Sequence, residues 1–513
     1  MRIALVGGGP TAACMMESLI RARDLLDPNA VLDVTVFDPS PHPWCGPNYA
    51  PDMPEALTNV YTDDMSVRYW DTEHIANWLK VNGYAHFAGA KFAPRAVIGE
   101  YFQDSARKAA ACMNAFEYVC GQVIKVALND RVFVQTPTRS YSFDYVVLCM
   151  GGSISSDPYG LQGQANFSLT PYPLKDRLSS VGANEHVGII GTGLTAIDLI
   201  FGLMANGHRG RITLLSRRGL LPAVRRPPIQ YSLQHFTVKG IEDIAAAKGS
   251  LSLRDLIELT FKELDHAGAS RQVLIDEINS TRHGVDRLRY QMARVDDGEI
   301  AYQLGIKMLA AAYEDAWYFL SPDEKKFLFH HFRHIAYSLC CPMPKDRAAR
   351  ILELVDSGQL NVVRGLQTVF KDTHGRFAAC AEGIPLVRLD RVISAVSGDN
   401  RISPMALPII DGLTQSGHAR SHAFGGLDVE RTTSRLIDVR NQPQPRLYAL
   451  GCTVGGALYI FNGLVLLARR SVHVAESIIK HHQETRHEST NHSEITAREA
   501  TIRGEAQVGY LPQ

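Results

Sequence analysis

The chain has 513 residues, 45% of them hydrophobic, and its 53 Lys and Arg balance 53 Asp and Glu. At about 100–200 residues per domain this length implies more than one folding unit, and the apolar content excludes a wholly disordered chain. A formal net charge of zero argues against a nucleic-acid partner and against a strongly charged main ligand.

Residues 2–6 read as a buried strand, 11–26 as a helix and Val34–Phe37 as a second strand, a βαβ unit at the N-terminus. The opening MRIALVGGG runs from strand into glycines without a cleavable small-residue site, so no secretory leader is read there. A mixed region extends to about residue 110. Short strands are expected over 118–148, ending in Tyr145–Leu148, and the Gly/Ser/Pro-rich stretch Gly151–Pro158 marks a boundary. A second βαβ follows, with strand Val187–Ile190, helix Leu194–Ala205 and strand Ile212–Leu215, ended by Pro222, Pro227 and Pro228. Residues 251–354 read as helical, and strand signals return over 361–397. The stretch 446–481 reads as a strand, a glycine-rich loop and a helix. Residues 483–513 are polar without clear period and are expected to form a mobile tail. The apolar run Gly455–Ala468, about 14 residues with Asn462 inside it, is too short to span a bilayer. Nine cysteines without a C-x-x-C pair make neither a disulfide framework nor a redox relay. The expectation is a cytoplasmic protein with reduced thiols and no membrane partner; homo-oligomerisation is left open.

The first chemical motif is Gly7-Gly8-Gly9-Pro10-Thr11-Ala12, a G-x-G-x-x-A between a strand and a helix. Gly7 permits the tight turn, Gly9 lets backbone approach a pyrophosphate, and Ala12 lets helix and strand pack closely. Phosphate oxygens then meet N–H groups at the helix N-terminus, where Pro10 and Thr11 stand. Asp38 ends the second strand and is placed to accept from ribose hydroxyls.

The second motif is Gly191-Thr192-Gly193-Leu194-Thr195-Ala196, again from strand to helix. Its following strand ends in Ser216-Arg217-Arg218, where two guanidiniums and a hydroxyl replace the acid. That end suits a 2′-phosphate better than a bare ribose. Two such motifs, the first followed by an acid and the second by arginines, assign FAD to the first and NADPH to the second, with hydride passing from nicotinamide to flavin.

On these residues the chain resembles the flavoproteins with two dinucleotide-binding domains, the FAD-NAD(P)-binding group related to flavin N-hydroxylating monooxygenases. The stretch Val187–Leu221 carries most of the likeness. Leu57-Thr58-Asn59 with Met65-Ser66, and Ala93-Pro94-Arg95 with Gly99 and Tyr101, are further echoes. Asp144-Tyr-Val-Val-Leu148-Cys149-Met150-Gly151 is similar to the segment that ends the cofactor domain in that superfamily, and Asp390–Gly398 looks like a second copy. The resemblance implies that Asn59, Met65, Ser66, Arg95 and Gly151 also line the cofactor. The sequence departs from the pattern where Cys452 follows Gly451 in place of an acid, although Gly451, Gly455 and Gly456 would still admit a helix N-terminus to the flavin. A Baeyer–Villiger fingerprint is missing: Phe87-Ala-Gly89 and Phe424-Gly-Gly426 lack its histidine.

Among weaker signals, adjacent Cys340 and Cys341 read as buried thiols at a helix end. His330 and His334 are spaced one helical turn apart without the glutamate of a zinc motif, so no metal is expected. Arg225-Arg226 are either a clamp for the nicotinamide cofactor or a carboxylate substrate, or a surface turn.

The expected fold is α/β, two Rossmann-type dinucleotide-binding domains with a helical insertion. The FAD domain is placed at 1–160 plus 385–480, the NADPH domain at 182–384 with its insertion about 228–355, and the tail at 483–513. The expected activity is an FAD-dependent, NADPH-using oxidoreductase. The resemblance implies a monooxygenase that N-hydroxylates an amine or amino acid, with molecular oxygen and a small molecule as substrates. Two alternatives stay open: an NADPH-dependent flavin reductase or dehydrogenase without oxygen insertion, and a non-catalytic flavin-binding redox sensor. No general acid or base is assigned.

Overall fold

The computed structural model describes residues 1–151, 156–396, 406–459 and 463–508, with the side chains of the final helix described to residue 487. Two parallel sheets organise these residues. The first has the order Arg435–Ile437, Pro443–Ala449, Tyr145–Leu148, Arg2–Val6, Asp33–Phe37, Ala115–Val119. All its pairings are parallel except that of the edge strand Arg435–Ile437. The second has the order Leu360–Arg364, Ile212–Ser216, Val187–Ile190, Arg391–Ser394, Phe167–Ser168, parallel throughout. Small antiparallel sheets span 125–143 and 366–389.

Strands covered on both faces need apolar residues at every position rather than at alternate ones. The central strands have them: Ile3–Val6, Tyr145–Leu148, Val187–Ile190 and Ile212–Leu215 are buried along their length. Ile3 and Leu5 face the core under the N-terminal helix Pro10–Leu26, while Ala4 and Val6 face a second core. The N-terminal helix packs along the C-terminal helix Leu464–Val508, with Met15, Leu19 and Ala22 sharing a core with Val474, Ile478 and Ile479.

Three expectations are corrected here. The C-terminal helix continues to Val508 where a mobile tail was expected from 483. Polar residues lead it along the first domain: Tyr145 Oη meets His481 Nδ1 at 2.8 Å, Gln483 Nε2 donates to Leu26 O at 2.7 Å, and Arg486 pairs with Asp27 at 3.8 Å. The stretch 385–396 goes with the second sheet, because Arg391–Ser394 pairs with Val187–Ile190; the chain rejoins the first sheet later. The helical insertion, counted from Val238–Lys248, includes a wide turn at Leu328–Phe332 that shifts His330 and His334 out of α-helical register. Gly398 and Asn462 lie outside the described residues.

The insertion closes over the C-terminal glycine loop. Helix Ala301–Phe319 buries Trp317, which stacks on Tyr459 with ring centroids 4.0 Å apart and donates Nε1–H to Gly456 O at 3.0 Å. The two large sheets are joined by a buried charge cluster. Asp198, on the helix Leu194–Ala205, accepts from Arg95 at 2.6 Å, from Arg347 at 3.0 Å and from the Tyr172 hydroxyl at 2.7 Å. Arg95 begins the helix Arg95–Ala111 of the first unit, so its bond to Asp198 crosses between units.

Removing one member of a buried ion cluster costs about 3–5 kcal/mol, since the remaining charges stay desolvated. Asp198→Ala is therefore expected to lower unfolding stability by about that much in a denaturant titration, whereas removing the exposed partner in Lys239–Asp243 changes it little. Equal small losses would contradict the clamp.

Candidate functional site

At the first glycine turn, Gly7 has φ +104°, and a Cβ there would lie 2.7 Å from Cys149 O. Only glycine fits. The turn is tied down by Gly7 N–H, which donates to Phe37 O at 2.8 Å. Gly9 caps the N-terminal helix and Pro10 opens it, with no side chain capping its N–H groups. This end of the helix is therefore a cradle for an anion. Ala12 is fully buried against the strand, as the motif requires.

Asp38 does more than the sequence reading assigns it. Its carboxylate accepts from Gly8 N–H at 2.6 Å and from Ser40 N–H at 2.7 Å, so it holds the glycine turn in shape and keeps further lone pairs as acceptors. Two segments complete the frame. Trp44, at φ 69°, donates its N–H to Gly8 O at 2.6 Å. Gly451, at φ +73°, brings the turn Gly451–Val454 against the helix start: its Cβ would lie 3.4 Å from Thr11 Oγ1. Gly455 is buried in the short helix that follows. The Trp44 turn was missed in the sequence, where Trp-Cys-Gly-Pro carries no recognised motif.

The other residues expected at this cofactor are placed differently. Met65 is buried in the core beneath the N-terminal helix. Ser66 donates to Asp71 O at 2.7 Å and accepts from Arg68 N–H at 3.1 Å, shaping its own turn. Asn59 offers its carbonyl to Arg225. Arg95 is saturated by Leu57 O, Tyr172 and Asp198 and serves the seam between the units. Gly151 is exposed, with open space where a Cβ would go.

The second glycine turn repeats the first in backbone detail. Gly191 has φ +112°, its Cβ would lie 3.0 Å from Ala395 O, and its N–H donates to Leu215 O at 2.8 Å. Gly193 caps the helix Leu194–Ala205 without a side-chain cap and faces open space; Leu194 and Thr195 are half-buried and Ala196 is fully buried. Beyond the next strand the two sites diverge. Ser216 Oγ accepts from Gly219 N–H at 3.1 Å and shapes the turn that carries the exposed Arg217 and Arg218. A cavity of about 280 Å³ opens there, lined by Arg217, Arg218, Arg282, His283, Arg287 and Arg364 among others. Arg287 is neutralised by Glu277, but the remaining guanidiniums give the cavity a positive excess. His283 Nδ1 is buried without a partner.

Arg282, His283 and Arg364 were missed in the sequence reading. Arg364 stands opposite Ser216 in the parallel register of the edge strand, a neighbour that only the sheet order reveals. His334 touches Arg218 rather than a metal-binding partner. Cys340 and Cys341, like the other seven cysteines, are free thiols. Arg226 is buried and paired with Asp297 at 2.8 Å, so the surface-turn reading of this pair does not hold. No helix among the described residues is long and apolar enough to cross a membrane.

Comparison with known proteins agrees with this architecture. A family model described as FAD-NAD(P)-binding matches residues 4–153. No curated protein matches the sequence. Solved structures share the fold across nearly the whole chain. The ornithine hydroxylase of Pseudomonas aeruginosa superposes with a TM-score of 0.57 at 14% identity, covering 94% of this chain and 99% of its own. The L-lysine 6-monooxygenase of Pseudomonas syringae gives 0.55 at 14% identity over 93% and 99%. The ornithine N-hydroxylase of Kutzneria sp. 744, solved with reduced FAD, NADP+ and L-ornithine, gives 0.54 at 16% identity over 93% and 98%. The fold shared with these structures is an α/β architecture with two Rossmann-type units.

Burial, and then the neighbouring Arg218, hold His334 down at about 4 from an ordinary 6.5. Between those values the unfolded chain binds a proton that the folded one refuses, so this group makes stability fall as pH drops from 6.5 to about 4. His334→Gln is expected to flatten the loss of thermal stability across that window. An unchanged slope would contradict the neutral imidazole.

Proposed function

We propose that the protein is an FAD-dependent, NADPH-using monooxygenase that N-hydroxylates the amine of a small molecule. The observation that carries this reading is the contrast between two otherwise matching cradles. Behind the first stands an acid, Asp38, with acceptor capacity for a ribose; behind the second stands a cationic cavity that suits a 2′-phosphate. The N-hydroxylating enzymes sharing the fold act on ornithine and lysine, which supports extending the reaction to this chain.

In this reading Gly7, Gly9, Pro10, Thr11 and Ala12 receive the FAD pyrophosphate, and the Gly451 and Gly455 loop approaches the same cofactor from the other side. Gly191, Gly193, Leu194, Thr195 and Ala196 receive the NADPH pyrophosphate. Arg217, Arg218 and Arg364 take its 2′-phosphate, with Ser216 setting their turn. The cofactors supply hydride transfer and oxygen activation when bound. The protein supplies orientation, and the helical insertion over the glycine loop supplies exclusion of water.

Purified FAD-loaded protein is expected to consume NADPH and oxygen and to release a hydroxylamine when given its amine. Amine-independent NADPH consumption that yields only hydrogen peroxide would favour a reductase. Loss of one charge-assisted phosphate contact is of order ~1–3 kcal/mol. Arg217→Ala and Arg364→Ala are each expected to weaken NADPH by that order while leaving NADH nearly unaffected, as read from the two KM values. Equal effects on both cofactors would contradict the 2′-phosphate assignment.

A further inference from the structure

Buried arginines in this protein are paired. Arg95 and Arg347 share Asp198, Arg226 bonds Asp297, Arg287 bonds Glu277, and Arg470 bonds Glu314. Arg225, half-buried, breaks the pattern. It forms no ion pair among the described residues, and its Nε is buried without a hydrogen-bond partner. Among the described residues its one side-chain hydrogen bond goes to the carbonyl of Asn59, and its guanidinium lies 5.3 Å from the centre of the Tyr61 ring. Its backbone N–H is fixed to Met343 O at 2.8 Å, which holds the side chain in the seam between the first unit and the insertion.

A guanidinium partly withdrawn from water and bonded to no carboxylate is costly, and a ligand anion is the natural remedy. Arginine's planar fork suits a carboxylate. The surroundings fit a ligand that also carries an amine. Asp64 lies near Arg225 and Lys307, yet its carboxylate is bonded to neither. Cys340 and Cys341 are within electrostatic reach of the guanidinium, and Cys341 and Cys452 are within reach of Tyr337. Cys452 follows Gly451, which approaches Thr11.

We propose that Arg225 binds the carboxylate of the substrate, which is therefore an amino acid or another amino-carboxylate rather than a diamine, with Asp64 across the seam receiving an ammonium group. This inference rests on the monooxygenase reading and narrows its substrate class. Arg226, paired with Asp297 and bonded to Glu299 O at 2.7 Å, has no part in it.

The test uses FAD-loaded full-length protein as wild type, Arg225→Gln and Arg225→Lys, with FAD content as the control for folding. The probes are two pairs differing only in a carboxylate, L-lysine with cadaverine and L-ornithine with putrescine. Binding is measured by titration calorimetry, alongside the KM for NADPH. Wild type is expected to bind the amino acid of at least one pair about tenfold or more tighter than its diamine. Arg225→Gln is expected to abolish that preference and Arg225→Lys to keep part of it. Preference retained in Arg225→Gln, or no carboxylate preference in wild type, overturns the proposal. A raised NADPH KM with amino-acid binding intact overturns it too, assigning Arg225 to a cofactor phosphate. Failure of NADPH to reduce the flavin would sink the monooxygenase reading instead, while calorimetry still decides the role of Arg225.

Discussion

The structure depends on one buried carboxylate. Asp198 sits three residues beyond Thr195 at the second glycine turn's helix start, and it binds Arg95, at the start of a helix that belongs to the first unit. Hydride transfer between two bound dinucleotides requires their reactive rings to meet, and a displacement of an ångström is costly. Each cradle is rigid on its own, because Gly7 and Gly191 admit one backbone conformation and no side chain. What sets one cradle against the other is the cross-unit cluster of Asp198, Arg95, Arg347 and Tyr172. Its desolvation cost is offset only by completeness, with every charge in it bonded.

Upon that frame the two sites differ by charge rather than by shape. The glycine turns share their φ values, their strand-end hydrogen bonds and their uncapped helix starts. Discrimination comes one strand later. Asp38 spends part of its hydrogen-bonding capacity on Gly8 and Ser40, which ties its carboxylate to the geometry of the glycine turn. On the other side Arg217, Arg218 and Arg364 converge from two adjacent parallel strands. The neutrality of the whole chain conceals this local separation of charge, and Arg225 adds a further positive centre that bonds no carboxylate among the described residues.

Local patterns made much of this legible in the sequence. Strand, glycine turn and helix follow one another within about 25 residues at each motif, so the apolar runs and the Gly-x-Gly spacing suffice to place them. Residues that meet only through topology were not legible. Arg364 joins Arg217 because the strand Leu360–Arg364 returns beside Ile212–Ser216; Gly451 reaches Thr11 from the opposite end of the chain; and Arg95, expected at the flavin, is turned to the seam by Asp198. The end of the chain misled for a related reason. Its polar composition suits a free tail, yet His481, Gln483 and Arg486 find their partners on residues 26, 27 and 145, which no local pattern discloses.

On the proposed reading the two cradles bring NADPH and FAD together for hydride transfer. Rapid anaerobic mixing of FAD-loaded protein with NADPH, followed through the visible flavin absorbance, addresses it without knowledge of the amine. Full bleaching of the flavin in a single turnover is expected, much faster with NADPH than with NADH. A flavin that stays oxidised, or one reduced equally well by both nucleotides, would contradict it.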